Sequence, residues 1–365
     1  MSRADVLLVS LGGTAGLREA DAELVASLRR AGARVEVAAA RRPREYRTLA
    51  LLELAWALAA RRAAAAAIAE HRPRAILYSS VTAALLAPAP GAIRFDAPAA
   101  GNRPGRHGIW QRPAERRRLA AAPLLAPWSE GALAEAPRPH AEAVVVPVPV
   151  APSGGGGGAA RDIAAITYGA NPEKKGLDRV LAAWRTARRE HEVLVVAGLE
   201  PGRGERFAAR AAAGLEPGRS ERFAARAAAG PEASRGERFA ARAAAGVRFT
   251  GPLPRAEYRA LLRRARVFVT APRREDYGIA QLEALADGCA LVTTASPGPY
   301  AALPLARALD QRLVGDDLAT ALRAALDDPA AGYAERAAEA LAPWRPEAVD
   351  RVVAEALMPR LLRAS

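Results

Sequence analysis

The sequence predicts an α/β protein built from two doubly wound, Rossmann-like parallel sheets. Three observations carry that expectation. Short apolar runs alternate with helically spaced segments through the first 150 residues, a Pro- and Gly-rich stretch interrupts them, and the same alternation then restarts. A chain of 365 residues also exceeds what one hydrophobic core organises, and its 51% hydrophobic content supplies material for two.

The elements follow in order. Asp5 to Ser10 is an apolar run, Glu19 to Arg30 has helical spacing, and Gly32 precedes a second strand at Arg34 to Ala39. Further strands are expected at Ala75 to Ser79, Ala92 to Phe95, Pro123 to Pro127 and Ala143 to Val148. Pro147, Pro149, Pro152 and the glycines at 154 to 158 mark a linker, so the first domain spans 1–150 and the linker 151–158. Beyond it, Asp162 to Tyr168 and Glu192 to Ala197 read as strands around a helix from Leu177 to Arg189. Strands return at Val247 to Thr250, Arg266 to Thr270 and Ala290 to Thr294, which fills a second domain over 159–343.

One segment breaks this rhythm. GLEPGRGERFAARAAA and two near-copies stand in tandem over 198–245 with a 16-residue period. Solenoid repeats run to about 20–50 residues per unit and carry several bulky core positions. Each copy here offers only Phe207, Phe223 or Phe239, so the expectation is an expanded helix and turn rather than a repeat fold.

Composition narrows the function classes. The single cysteine, Cys289, cannot form an internal disulfide, and the N-terminus enters a short strand without the apolar core of a signal peptide, which points to a cytoplasmic setting. The most apolar helical stretch, Leu49 to Ala60, is too short to span a bilayer. A net charge of +14 favours anionic partners. The arginines are scattered with few aromatics beside them, which argues against nucleic acid. Arg112 and Arg116 to Arg118 form a basic helical face, either solvated or in peripheral contact with an anionic membrane. The sequence holds no HExxH, CxxC, G-x-S-x-G or P-loop motif, so no metal site, serine nucleophile or P-loop ATPase chemistry is expected.

Three loops carry the candidate chemistry. In RREDYGIAQLEALADG, Glu275 and Glu283 bracket seven residues, and a helix starting near Gly278 would offer the amides of Gly278 and Ile279 to a diphosphate. Glu283 is placed to accept hydrogen bonds from vicinal hydroxyls and Glu275 to reach a sugar; acidic residues near a helix N-terminus are also favourable with no ligand. In TYGANPEKKGLDRVLAAW, Lys174 and Lys175 are the only lysines in the chain, and they sit together before a helix start at Gly176. An ammonium is a compact charge suited to phosphate oxygens, although lysines also occupy ordinary surface turns. In SLGGTAG, Gly12 and Gly13 let backbone approach a ligand, or simply make a tight connection. His107, in the Gly-rich AAGNRPGRHGIW loop, is a candidate donor or base, and Asp96 closes a strand toward the same edge.

Taken together with EKKGLDRVLAAW, VRFTGPLPRAEYRALLRRARVFV, EDYGIAQLEALADG and PWRPEAVDRVVAEALMPRLL, these features resemble glycosyltransferase family 4. The resemblance covers nearly the whole chain and implies a GT-B fold, two domains facing a central cleft, with the terminal helix at 344–365 packing back on the first domain. It implies metal-independent, retaining transfer of a hexosyl group from a nucleotide diphosphate sugar to a glycan, lipid or small-molecule acceptor. It places Lys175 on the diphosphate, Glu283 on the ribose, Glu275 on the donor sugar, and Gly12 and Gly13 against the donor. Two departures stand out. The family's Gly-Arg in the phosphate loop reads Gly169-Ala170, with Lys174 the nearest replacement charge, and the segment after Cys289 matches the family poorly. A nucleotide-sugar epimerase and a catalytically inactive binding protein are the competing readings.

Overall fold

The computed structural model describes residues 3–363 except 45, 47, 104, 141, 155–159 and 215–244, and does not describe the side chains of 15, 102, 106 and 107. The chain divides into two compact units, one of residues 1–151, 298–301 and 342–365, the other of 152–297 and 302–341. The linker glycines and the second and third copies of the repeat lie almost wholly outside the described residues.

The first unit opens with β1 (Val6–Ser10), α1 (Ala15–Arg30), β2 (Val35–Ala39), α2 (Leu49–His71) and β3 (Ala75–Tyr78). It continues with β4 (Ala92–Phe95), α3 (Gln111–Ala121) and β5 (Leu125–Pro127). The strands form one parallel sheet in the order β2-β1-β3-β4-β5. Both faces are covered, as a parallel sheet requires. Val6 and Leu8 point into a cluster with Leu24 and Leu28 of α1, while Leu7 and Val9 point into a second cluster with Ala57, Ala60 and Ala64 of α2.

Ala143 to Val148 is not a strand but extended chain beside β5, joined to it by an isolated bridge between Leu125 and Ala143. Val144 N–H donates to Leu125 O and Val146 N–H to Pro127 O. The rung between them needs an N–H at Pro127, which proline lacks, so the ladder breaks there.

After the second unit the chain returns to the first. α8 (Pro346–Val352) runs through a π-turn at Val353–Leu357 into α9 (Met358–Arg363). Val349, Val353, Leu357 and Leu361 complete the α1-side core. Asp350 accepts from Ser27 and pairs with Arg30 at 2.7 Å.

The second unit contains β6 (Ile163–Tyr168), α4 (Leu177–Ala187), β7 (Leu194–Ala197), α5 (Pro201–Ala212) and β8 (Val247–Phe249). Then come α6 (Arg255–Arg264), β9 (Ala265–Thr270), α7 (Ile279–Ala286) and β10 (Ala290–Thr293). Its parallel sheet runs β10-β9-β6-β7-β8. The first repeat copy supplies α5, whose Phe207 is buried and whose Gly204 packs so close to Phe249 that a Cβ there would lie 2.3 Å from its ring. Among the described residues no helix is long and apolar enough to cross a membrane.

Candidate active site

The strand order locates the site before any side chain is considered. In the second sheet the chain moves outward from β6 through β7 to β8, then crosses back to β9 on the other side of β6. The connections leaving β6 and β9 therefore diverge at their carboxyl ends, which opens the crevice where doubly wound sheets take ligands. Those two connections are the KKG loop and the Glu275 loop. In the first sheet the equivalent point lies between β1 and β3, and the loop after β1 carries Gly12 and Gly13.

Local backbone chemistry brings the two loops of the second unit together. Asn171 shapes the first, its Oδ1 accepting from Lys174 N–H at 3.1 Å and its carbonyl from Lys175 N–H at 2.9 Å. Gly176 ends the loop with φ at +60°, and a Cβ there would sit 1.9 Å from the Ala271 carbonyl oxygen just past β9. No other residue permits that approach. Arg273 N–H then donates to Lys174 O at 3.0 Å, tying loop to loop.

The side chains follow this backbone. Lys175 Nζ lies 2.6 Å from Glu275 Oε2, and Lys174 Nζ 2.8 Å from Asp276 Oδ2. Arg274 Nε reaches the other Asp276 oxygen at 2.9 Å. Burial raises the Asp276 pKa, but Lys174 and Arg274 outweigh it and hold the carboxyl below its usual range. Glu275 is buried, with its N–H on the Pro297 carbonyl at 3.0 Å and Gln281 Nε2 donating to its Oε2 at 2.9 Å. Gln281 is 1% exposed, and its Oε1 is a buried acceptor with no protein partner among the described residues.

Gly278 caps α7 with φ at +92°, and Ile279 is the first helical residue, so their amides head the helix next to these charges. Glu283, one turn on, is buried and pairs with Arg255 at 2.7 Å and Arg259 at 3.4 Å, both from α6. Arg259 also reaches Asp287 at 2.6 Å, and Asp287 accepts Ser153 N–H at 2.8 Å. The structure thus brings Lys174, Lys175, Glu275, Gly278, Ile279 and Glu283 into one unit. It adds Asp276, Gln281, Arg255 and Arg259, which sequence reasoning passes over. Only Gln281 leaves a local signal, as a polar residue in an otherwise apolar helix turn. Ala170 is exposed and sits beside Gly198.

The remaining candidates belong to the first unit. Arg18 donates to Gly12 O at 2.9 Å. His107 lies in the 3-10 turn Gly105–Gly108, its side chain outside the described set. Asp96 Oδ1 accepts Ala97 N–H at 2.9 Å. Nearby, Glu53 pairs with Arg103 at 2.7 Å, and Glu115 accepts Ala99 N–H at 2.5 Å. Burial pushes Glu115 from 4.5 up to about 7; the Ala99 bond and Arg103 oppose that rise, whereas Glu53 and Asp96 reinforce it. No group of three or more His, Cys, Asp or Glu among the described residues is arranged to hold a metal.

The family model for glycosyl transferases group 1 matches residues 159–340, the stretch that holds both charged loops. The two Rossmann-like parallel-sheet units have the GT-B fold. Sucrose-phosphate synthase (tll1590) from Thermosynechococcus elongatus is similar over 100% of both chains, at 16% identity and a TM-score of 0.70. WaaG, a glycosyltransferase involved in lipopolysaccharide biosynthesis, is similar over 96% of this chain and 99% of its own, at 14% identity and a TM-score of 0.64. Anabaena Alr3699/HepE in complex with UDP and glucose is similar over 98% and 100%, at 13% identity and a TM-score of 0.62. Identities this low speak for the fold. No curated protein sequence matches the chain.

Proposed function

We propose that the chain is a retaining glycosyltransferase that moves a hexosyl group from a nucleotide diphosphate sugar to a glycan, lipid or small-molecule acceptor. The observation that carries this reading is the meeting of the Lys174-Lys175 loop with the Glu275 loop and the head of α7, at the point where the strand order reverses. The Anabaena protein's complex with UDP-glucose supports a donor of this class.

The mechanism is an exchange of ionic partners. Without donor, Lys175 and Glu275 satisfy each other at 2.6 Å, so neither charge is buried unpaired. An arriving diphosphate takes the Lys175 ammonium and the amides of Gly278 and Ile279, and Glu275 becomes an acceptor for sugar hydroxyls. The orphaned Gln281 Oε1 beside it offers a further acceptor. As the sugar–phosphate bond breaks, charge grows on the leaving diphosphate, where Lys175 and the helix amides are already aimed. Glu283, its charge offset by Arg255 and Arg259, receives the ribose hydroxyls.

A thermal-shift screen against UDP, GDP and ADP sugars tests the reading, because a ligand that binds only the folded state raises its melting point. The expected outcome is stabilisation by one nucleotide class, followed by acceptor-dependent release of the diphosphate with the donor anomeric configuration kept in the product. Donor conversion without acceptor identifies an epimerase instead, and no stabilisation by any of the three contradicts the assignment.

A further inference from the structure

Helix α2 has two apolar faces, and among the described residues only one of them is buried against the sheet. Ala57, Ala60 and Ala64, at helical spacing, are fully buried against the sheet. Leu51, Leu54, Ala55, Leu58 and Ala59 repeat the i, i+3, i+4, i+7 pattern on another face. The leucines of that second face are open to solvent: Leu51 is 50% exposed, Leu54 36% and Leu58 38%. An isolated exposed leucine means little, but a cluster of them marks an interaction surface.

The clustering is pronounced. Of the eight exposed large hydrophobic side chains among the described residues, Tyr46, Leu51, Leu54 and Leu58 line one open hollow of about 710 Å3. Val37 and Leu49 are two more of the eight, on the edge strand β2 and the first residue of α2. The rim of the hollow is cationic, formed by Arg41, Arg42, Arg44 and Arg62, and no acidic residue among those described lines it. Glu45 and Arg47, in the same segment, lie outside the described residues and cancel in formal charge.

Charge selects the occupant. A second copy docking by the same face would bring two arginine rims together, which disfavours a symmetric dimer. An apolar floor with a cationic rim matches an anionic lipid surface, where leucines enter the acyl boundary and arginines stay with the headgroups. The basic face of α3 suits this role less well: Arg112 and Arg118 donate to the carbonyls of Arg103 and Leu85.

We propose that the outer face of α2, with the Arg41–Arg44 segment, docks the protein onto anionic membrane. This surface shares no residue with the proposed donor site, so either assignment can fail without the other.

Flotation of the full chain with vesicles tests it, using phosphatidylcholine alone or mixed equally with phosphatidylglycerol. The expected result is flotation with the anionic vesicles only, weakened by added salt as charge screening requires. Leu51→Ser with Leu58→Ser, and separately Arg41→Ser with Arg62→Ser, should each lower partitioning about tenfold or more. These positions are solvent-facing, so both variants should keep the wild-type melting curve, and a melting curve identifies any that does not. Absence of flotation with anionic vesicles, equal binding to neutral ones, or full binding by well-folded variants overturns the assignment. In the first of these cases an acidic protein becomes the partner to seek.

Discussion

At the carboxyl edge of the C-terminal sheet, the carboxylates sit against cations: Asp276 against Lys174 and Arg274, Glu275 against Lys175, Glu283 against Arg255 and Arg259. Near the same edge of the N-terminal sheet, Glu53, Asp96 and Glu115 crowd around Arg103. One scaffold is thus loaded in two ways. Where each charge has its opposite, the cations outweigh burial at Asp276, and the proposed entry of an anion is by replacing a carboxylate. Where carboxylates outnumber cations, burial wins and one of them holds its proton to about pH 7.

The largest expected effect is on the paired side. Arg259 is buried and serves both Glu283 and Asp287, so Arg259→Met takes the shared cation from two buried carboxylates and leaves Glu283 to Arg255 and Asp287 to Ser153. Loss of about 3–5 kcal/mol in urea unfolding is expected; a loss within error of zero would show that Arg255 and Ser153 suffice. Next is Lys175→Ala, which should cut glycosyl transfer about 100- to 1000-fold, the usual effect of removing a donor that stabilises transition-state charge. Lys175→Arg should recover part of it, and an alanine variant as active as wild type would remove Lys175 from the chemistry.

On the crowded side, Glu115→Gln tests the retained proton. The folded pKa is raised from 4.5 to about 7, so the folded state favours the neutral acid. The resulting penalty is absent below pH 4.5, grows as pH rises toward 7 and is complete above it, at roughly 3 kcal/mol. Wild-type stability should therefore fall across that window, while the glutamine variant, which keeps the acceptor for Ala99 N–H, should not share that fall. Parallel pH profiles for the two would contradict the assignment. The smallest effect is expected from Ala170→Arg. It adds a cation at an exposed position of the phosphate loop and should tighten nucleotide diphosphate binding by about tenfold, read by calorimetry.

How much of this was legible in the sequence depends on whether a feature is local. Strands such as Ala92–Phe95 are buried on both faces and show as short apolar runs, and the two lysines stand out because the other basic residues are arginines. The start of α7 after Gly278 is legible for the same reason, as a helix signal within a few residues. Strand order is not local: nothing in Ile163–Tyr168 says that its neighbours are β7 and β9. Nor is the pairing of Lys175 with Glu275, 100 positions apart, or the burial of Arg259, which looks in sequence like any of the surface arginines around it. The strand expected at Ala143 to Val148 does not form although its own residues are suitable, because the missing N–H belongs to Pro127 on the neighbouring strand.

In the C-terminal unit an anion is expected to displace Glu275 from Lys175. Calorimetric titration of nucleotide diphosphates into the wild type and Lys175→Ala tests it most directly. One nucleotide diphosphate is expected to bind the wild type and to bind the variant at least about tenfold more weakly. Equal affinity in both proteins, or no binding of any nucleotide diphosphate to the wild type, would contradict it.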